Sequence, residues 1–324
     1  MKSNTAISVE KLSKEFRLRG NRHILSGIFR PEWQTATAVS EVDIAIASGE
    51  AVAFLGPNGA GKTTTTKMLT GLIKPTSGQL HVLGYSPFER NYAFLKKIGL
   101  VMGNKAGLNW DLSARQSFEL LQKLYEIPIS AYHGRVKELT ELLQVSHVLD
   151  SQVRKLSLGE RMKLELIGAI LHDPEILFLD EPTIGLDISS KRNVRKFLSY
   201  LHEQGKTLLL TSHDMDDIVE VCDRALVINH GRIIFDDSMD KLSHQYSNIR
   251  YARLEFVDAS PNRSFAEKYG EVLEAKGNKL VIGADKKQIM KVIATISDKY
   301  PIQDVAIERV PLELIIEDLY TKTP

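Results

Sequence analysis

The chemistry this chain could do is concentrated in one short loop, Gly56-Pro57-Asn58-Gly59-Ala60-Gly61-Lys62-Thr63, followed by Thr64 and a helical stretch. Glycines at 56, 59 and 61 let the backbone turn its N–H groups inward around an anionic phosphate, and the helix N-terminus that follows adds partial positive charge. Lys62 would reach the terminal phosphates of a nucleoside triphosphate, and the Thr63 hydroxyl would ligate Mg²⁺. A second cluster ends the apolar run Ile176-Leu177-Phe178-Leu179, where Asp180 and Glu181 follow one another. A buried parallel strand delivers such acids at its C-terminal end, where ligands of these sheets bind. Asp180 could hold the Mg²⁺ shell opposite Thr63, while Glu181 orients and polarises a water for in-line attack on the γ-phosphate. His213 follows Ser212 and a further apolar strand, Thr207 to Thr211. A lone histidine is more often structural, but one at this strand end is placed to bond the γ-phosphate or fix the water.

For these groups to meet, the chain must bring several strand ends together. Ala51 to Leu55 reads as a buried strand leading into the loop, and Thr64 to Leu72 as the helix leaving it, stopped by Lys74-Pro75-Thr76-Ser77-Gly78. Ile7 to Leu12 and Val39 to Ile46 alternate apolar and polar residues and read as strands, as do Gln79 to Leu83 and Ile98 to Met102. Phe16 has two readings, a platform for an adenine ring or a core residue. So does Arg19 to Ala38: an amphipathic excursion with Arg22 and Arg30 on a cationic side, or an extended loop pinned by its apolar residues.

Phe118, Leu121, Leu124, Val136, Leu139 and Leu142 have helical spacing, broken at Ile127-Pro128, and mark a helical subdomain of about 105–172 inserted between strands. Within it, Leu156-Ser157-Leu158-Gly159-Glu160 opens a helix to about His172, with Ser157 as N-cap and Glu160 three residues on, a capping box. Ala225 to Asn229 and Arg232 to Phe235 make a hairpin across His230-Gly231. After about Ser238 the order is strand Ile249 to Phe256, helix Ser264 to Tyr269, strands Glu271 to Ala275 and Leu280 to Gly283, helix Lys286 to Lys299, strand Ile302 to Glu308. That βαββαβ order is ferredoxin-like, trailed by a helix from Leu312 to Tyr320. The chain therefore reads as two domains, 1–242 and 243–324.

Composition narrows the class. The 42 lysines and arginines nearly cancel 41 aspartates and glutamates, so the chain lacks the overall basic field of a non-specific nucleic-acid binder. The single cysteine, Cys222, excludes an internal disulfide and a cysteine-based metal site. Ile218, Val219 and Val221 around it imply a small core residue in a reducing compartment. Met1 to Glu10 lacks a charged-then-apolar signal pattern, and no run approaches the roughly 18 apolar residues of a membrane span, so a membrane role would come through a partner.

Taken together the motifs resemble the ATP-binding cassette (ABC) ATPases, over about Ile7 to Leu242. The phosphate loop is followed, in that family's order, by a signature-like stretch, Leu156 to Glu160, and the acidic strand end. Next come Pro182-Thr183-Ile184-Gly185-Leu186-Asp187, similar to the loop that communicates across a dimer, and Thr211-Ser212-His213, similar to a histidine switch. The resemblance implies an α/β P-loop NTPase cassette with a RecA-like core, an antiparallel β subdomain and the inserted helical subdomain. It also implies two copies paired head to tail on ATP and Mg²⁺, with Ser157 and Gly159 touching the γ-phosphate in trans and Asp187 lying at the dimer face. Driving integral membrane permease subunits from the cytoplasmic face, in the direction of export, is the function that follows. A soluble cassette acting on ribosomes or DNA, or a weakly hydrolysing regulator, is the alternative.

Two positions depart from the pattern. Leu158 and Glu160 stand where the family has a second glycine and a glutamine, and the Glu160 carboxylate is expected to point away from the nucleotide. Gly103-Asn104 stands where the family has a glutamine that contacts Mg²⁺, so Asn104 is the stand-in both for the nucleotide and for the metal.

Overall fold

The structure, a computed structural model, describes residues 5–19, 33–103, 107–244 and 246–322. The chain divides between Asp237 and Ser238 into two compact units. In order, the first unit is built from β1 (Thr5–Arg19), β2 (Trp33–Ala47), β3 (Ala51–Leu55), α1 (Lys62–Leu69), β4 (Ser77–Val82), α2 (Tyr92–Leu95) and β5 (Ile98–Met102). There follow α3 (Ala114–Leu124), α4 (Ile129–Leu142), α5 (Leu158–Ile170), β6 (Ile176–Asp180), α6 (Ile188–Glu203), β7 (Thr207–Thr211), α7 (Met215–Val221), β8 (Arg224–Asn229) and β9 (Arg232–Ser238).

Six strands form one sheet in the order β5-β6-β7-β3-β8-β9. Its inner strands pair in parallel, and β3 and β7 are buried at every residue. This burial is why these segments read as unbroken apolar runs and not as alternating ones. The register sets Asp180 beside Thr211 and Met102 beside Asp180, so the C-terminal ends of β5, β6 and β7 lie side by side. A second sheet, β2-β1-β4, is antiparallel. Ile7, Leu12, Val39 and Ile46 from it share one core cluster with Phe54, Phe178 and Leu226 of the large sheet and with Met68 and Leu69 of α1.

β1 and β2 are longer than the sequence pattern implied. They continue pairing from Lys14 opposite Val39 out to Arg19 opposite Trp33, so 33–38 is strand and not loop. Alternation fails there because both faces of this outer stretch are largely solvated, and Leu18 and Trp33 are exposed. Residues 20–32, with Arg22 and Arg30, lie outside the described residues. The helix leaving the phosphate loop begins at Lys62, two residues before the expected Thr64, and stops at Leu69.

Cys222 is buried. Among the described residues no helix is long and apolar enough to cross a membrane.

The second unit contains α8 (Met239–His244), β10 (Ile249–Phe256), α9 (Arg263–Ala266), β11 (Glu271–Lys276), β12 (Lys279–Asp285), α10 (Ile289–Ser297), β13 (Ile302–Arg309) and α11 (Leu312–Lys322). Its sheet is antiparallel in the order β11-β12-β10-β13, and Leu254, Phe256 and Ile282 pack on Ile289, Ile293 and Ile296 of α10. The α10 helix starts three residues later than the sequence pattern implied. The Asp285 side chain takes the Lys287 N–H, a local turn that competes with the helix.

Candidate nucleotide-binding site

The phosphate loop gets its shape from what surrounds it. A Cβ on Gly56 would lie 2.4 Å from the Ile228 carbonyl oxygen in β8, and one on Gly61 would lie 2.6 Å from that of Ala38 in β2. Gly61 also has φ +114°, so side chains are barred there by both packing and backbone conformation. Gly59, at φ +82°, has open space around it. The Ala60 N–H closes the turn onto the Pro57 carbonyl, and the Ala60 carbonyl accepts from Gly231. Asn58 is exposed, Pro57 and Thr64 half-buried and Ala60 buried. No side chain caps the N-terminus of α1, which leaves its first-turn N–H groups to a ligand.

Lys62 folds back over this loop, its Nζ 2.5 Å from the Gly56 carbonyl oxygen and 3.1 Å from that of Pro57. Burial lowers its pKa, against the attraction of Glu181 and then Asp180. Thr63 Oγ1 lies 3.4 Å from Asp180 Oδ2, and Thr211 donates its hydroxyl proton to Asp180 Oδ1 at 2.6 Å. A threonine hydroxyl facing a carboxylate is the hard-oxygen donor set that suits Mg²⁺. Among the described residues no three His, Cys, Asp or Glu side chains cluster as a metal site of their own, so such an ion would need phosphate oxygens to complete its shell.

Glu181 has a left-handed backbone, φ +57°, held by its N–H bonding both the carbonyl and the hydroxyl of Thr211. For a non-glycine residue this conformation is uncommon and clusters at functional sites. Glu181 Oε2 accepts the His213 N–H at 3.2 Å, and Oε1 is 3.6 Å from His213 Nε2. Oε1 is buried without a hydrogen-bond partner among the described residues. Burial raises the Glu181 pKa, with His213 the largest opposing influence. An acid held this way is a proton acceptor closer to neutrality than a free carboxylate.

These side chains, from the loop and the ends of two adjacent strands, converge. Phe16 stands in β1 opposite Ala36, two residues along β2 from the Ala38 that abuts Gly61, with the Lys14 ammonium 5.1 Å above its ring. Asn104 lies outside the described residues. Its neighbour Gly103 donates its N–H to the Asp180 carbonyl at 2.7 Å and would bring a Cβ within 2.5 Å of the Glu181 carbonyl oxygen.

Ser157 and Gly159 belong to a different place. Ser157 is exposed and caps α5. All its side-chain bonds go to Glu160, to which its hydroxyl donates at 2.7 Å, its own N–H at 2.9 Å, while the Glu160 N–H returns a bond at 3.3 Å. The capping box expected of Ser157 and Glu160 is thus present: the Glu160 carboxylate satisfies an orphan N–H at the helix start. A Cβ on Gly159 would lie 2.7 Å from Ser190 Oγ and 3.7 Å from Asp187 Oδ2. Asp187 in turn caps α6 by accepting the Ser190 N–H, so the signature-like turn and the 182–187 loop touch within one chain.

Thr183, within the 182–187 loop, meets Arg195 and Asp217, which no sequence pattern singled out, in the interior behind the strand ends. A trace was visible, since Asp217 precedes Ile218 and lies four residues from Val221 on the apolar side of α7.

A glycine-lined loop at a helix start, with hydroxyl, acid and histidine on adjacent strand ends, defines a phosphate-loop nucleoside triphosphatase. Residues 39–184 match the ABC transporter family profile. The chain is 31% identical to ABC transporter ATP-binding protein NatA of Bacillus subtilis (strain 168) over 71% of its length and 92% of that protein. It is 33% identical to daunorubicin resistance ATP-binding protein DrrA3 of Streptomyces coeruleorubidus over 76% of its length and 73% of that protein. It is 30% identical to Nod factor export ATP-binding protein I of Rhizobium sp. (strain N33) over 78% of its length and 83% of that protein. Among solved structures, a dimeric ATP-binding cassette in a post-hydrolysis state bound to ADP and Pi superposes with TM-score 0.62, over 72% of this chain and 98% of that one, at 22% identity. The chain belongs to the ABC transporter ATP-binding proteins, a family of ATPase cassettes.

Proposed function

We propose that this chain hydrolyses ATP as one of two head-to-tail cassettes that drive export through separate membrane-spanning subunits, from the cytoplasmic face. The observation that carries the reading is the meeting of Lys62, Thr63, Asp180, Glu181 and His213 at the end of one loop and two adjacent strands. Backbone N–H groups of 59–63 and the α1 N-terminus would cradle the phosphates, with the Lys62 ammonium leaving its carbonyl partners for the terminal phosphates. Thr63 and Asp180, and by the sequence reading Asn104, would hold Mg²⁺, which when bound neutralises charge on the β- and γ-phosphates.

Glu181 would take a proton from a water as its oxygen bonds to the γ-phosphorus and the bond to the β–γ bridging oxygen breaks, leaving ADP and phosphate. His213, 57% exposed at its side chain, would hold the γ-phosphate or the water. Phe16 would stack on the adenine. Ser157, Gly159 and Asp187 of a second copy would close the site; Ser157 and Asp187, each capping a helix, are exposed, while Gly159 is buried beside Ser190. The names of the relatives support export, since two of them refer to drug resistance and to Nod factor export. For the unit after Ser238 we propose a regulatory or dimer-stabilising role.

The test is Glu181→Gln. Steady ATP turnover should fall at least ~100-fold with ATP binding retained, and an ATP-bound dimer should accumulate in size-exclusion chromatography. Turnover at the wild-type rate rejects the mechanism.

A further inference from the structure

Behind the strand ends lies a carboxylate that the steps above leave unused. Asp217 in α7 is 0% exposed. Its Oδ2 accepts two hydroxyl protons, from Thr183 at very close range and from Ser212 at 2.8 Å. Its Oδ1 lies 3.3 Å from Arg195 Nε as an ion pair, and neither atom finds an aligned hydrogen bond among the described residues. Burial pushes the Asp217 carboxyl up, and the Thr183 and Ser212 hydroxyls oppose that most. A carboxylate in such a place is costly unless bonded, and a well-packed apolar residue would often serve stability as well or better.

The positions of its partners give the acid a purpose. Thr183 is two residues past Glu181, Ser212 immediately precedes His213, and Arg195 is on α6, the helix that Asp187 caps. One buried side chain thus joins the segment carrying the water-activating acid, the segment carrying the histidine and the helix starting at the proposed dimer face. The Ser212 hydroxyl also accepts the Asp214 N–H at 3.0 Å, which fixes the turn through His213.

We infer that Asp217 is a positioning residue for hydrolysis. It clamps the 182–187 loop to the 212–213 turn, so that Glu181 and His213 stay face to face and a shift of Asp187 at the dimer face reaches His213. This rests on the reading of Glu181 and His213 given above. It goes beyond that reading because Asp217 touches neither nucleotide nor metal.

Asp217→Asn keeps the volume but loses the charge and one good acceptor. Turnover is to be measured per nucleotide site, counted by titration with a fluorescent ATP analogue so that unfolded protein does not enter. kcat should fall about tenfold, since displacing reacting groups by ~1 Å can cost up to ~100-fold, with KM within about twofold. If the effect runs through Thr183, the Asp217→Asn/Thr183→Val double variant should be no more than about twofold slower than Asp217→Asn, the non-additivity expected of one network. A kcat within twofold of wild type, or losses that multiply, overturns the clamp. Should Asp217→Asn fail to fold, Thr183→Val and Ser212→Ala take its place. Each should lower kcat about threefold at constant KM, and unchanged kcat in both overturns the inference. Glu181→Gln separates the two levels: if it stays active the hydrolysis reading fails, whereas if it is inactive and Asp217→Asn is normal only the clamp fails.

Discussion

Glu181 and Glu160 sit in the two halves that the proposed dimer would bring to one ATP, and their surroundings pull them in opposite directions. Burial at a packed strand end raises the Glu181 carboxyl. At the open start of α5, the hydroxyl and then the backbone N–H of Ser157 lower that of Glu160, with His147 3.4 Å from its other oxygen. The backbone of Glu181 is fixed by two bonds to Thr211, while the hydrogen bonds of the Glu160 side chain go to the Ser157 residue at the helix start. The strand-end half is therefore built to accept a proton. The helix half has donors to offer, and a firmly ionised carboxylate already occupies the best of them, the Ser157 hydroxyl.

The largest effect should come from the strand-end half. Lys62→Ala removes an ammonium whose charge-assisted bonds to phosphate are each worth roughly 1.5–3 kcal/mol, so MgATP affinity should drop about 10- to 100-fold in a fluorescence titration. Wild-type affinity would show that the loop does not hold the phosphates and would dissolve the contrast between the halves.

A smaller effect of opposite sign is expected in the helix half. Glu160→Gln keeps the capping box, which accepts either residue, and removes a negative charge beside the hydroxyl that would meet the γ-phosphate. Two charges some 4 Å apart interact by about 1 kcal/mol in water and more where water is thinned. ATP-driven dimerisation should tighten about fivefold, and Ser157→Ala in the same background should cancel the gain. Because its pKa is depressed, Glu160 is ionised at every pH near neutrality, so the gain should not change between about pH 6 and 8. An unchanged dimer constant would place the Glu160 carboxylate away from the phosphate.

How much of this could be read from the chain alone follows from the range of the forces involved. The phosphate loop, the Asp180-Glu181 strand end and the capping box were legible because each is local: spacing fixes the glycines, four apolar residues announce a buried strand, and Ser157 and Glu160 are one helical turn apart. The outer half of the β1–β2 pair was not, since its faces are solvated and nothing alternates. Asp217 was missed for another reason. Thr183 and Arg195 are 34 and 22 residues away in sequence, and only the folded chain brings their donors onto one carboxylate.

The smallest effect concerns what ties the halves together. Asp173, in the turn between α5 and β6, is 2.6 Å both from Arg135 of α4 in the helical segment and from Lys206 beside β7. The Arg135 guanidinium foremost, helped by Lys206, lowers its pKa from 3.8 to about 2. A depressed carboxyl pKa stabilises the folded chain above its ordinary value and loses that contribution as pH falls through the folded one. Asp173→Asn should therefore melt lower than the wild type at pH 7, hold that gap down to about pH 4 and lose it below. Asp173 is 56% exposed at its side chain, so solvent screening limits the pair's worth to about 1 kcal/mol or less, a Tm shift of roughly 2–4 °C for a protein of this size. A gap that persists unchanged at pH 3, or none at pH 7, would mean that the Asp173 ion pair does not help hold the helical half to the strand-end half, and Arg135→Ala would then leave Tm unmoved as well.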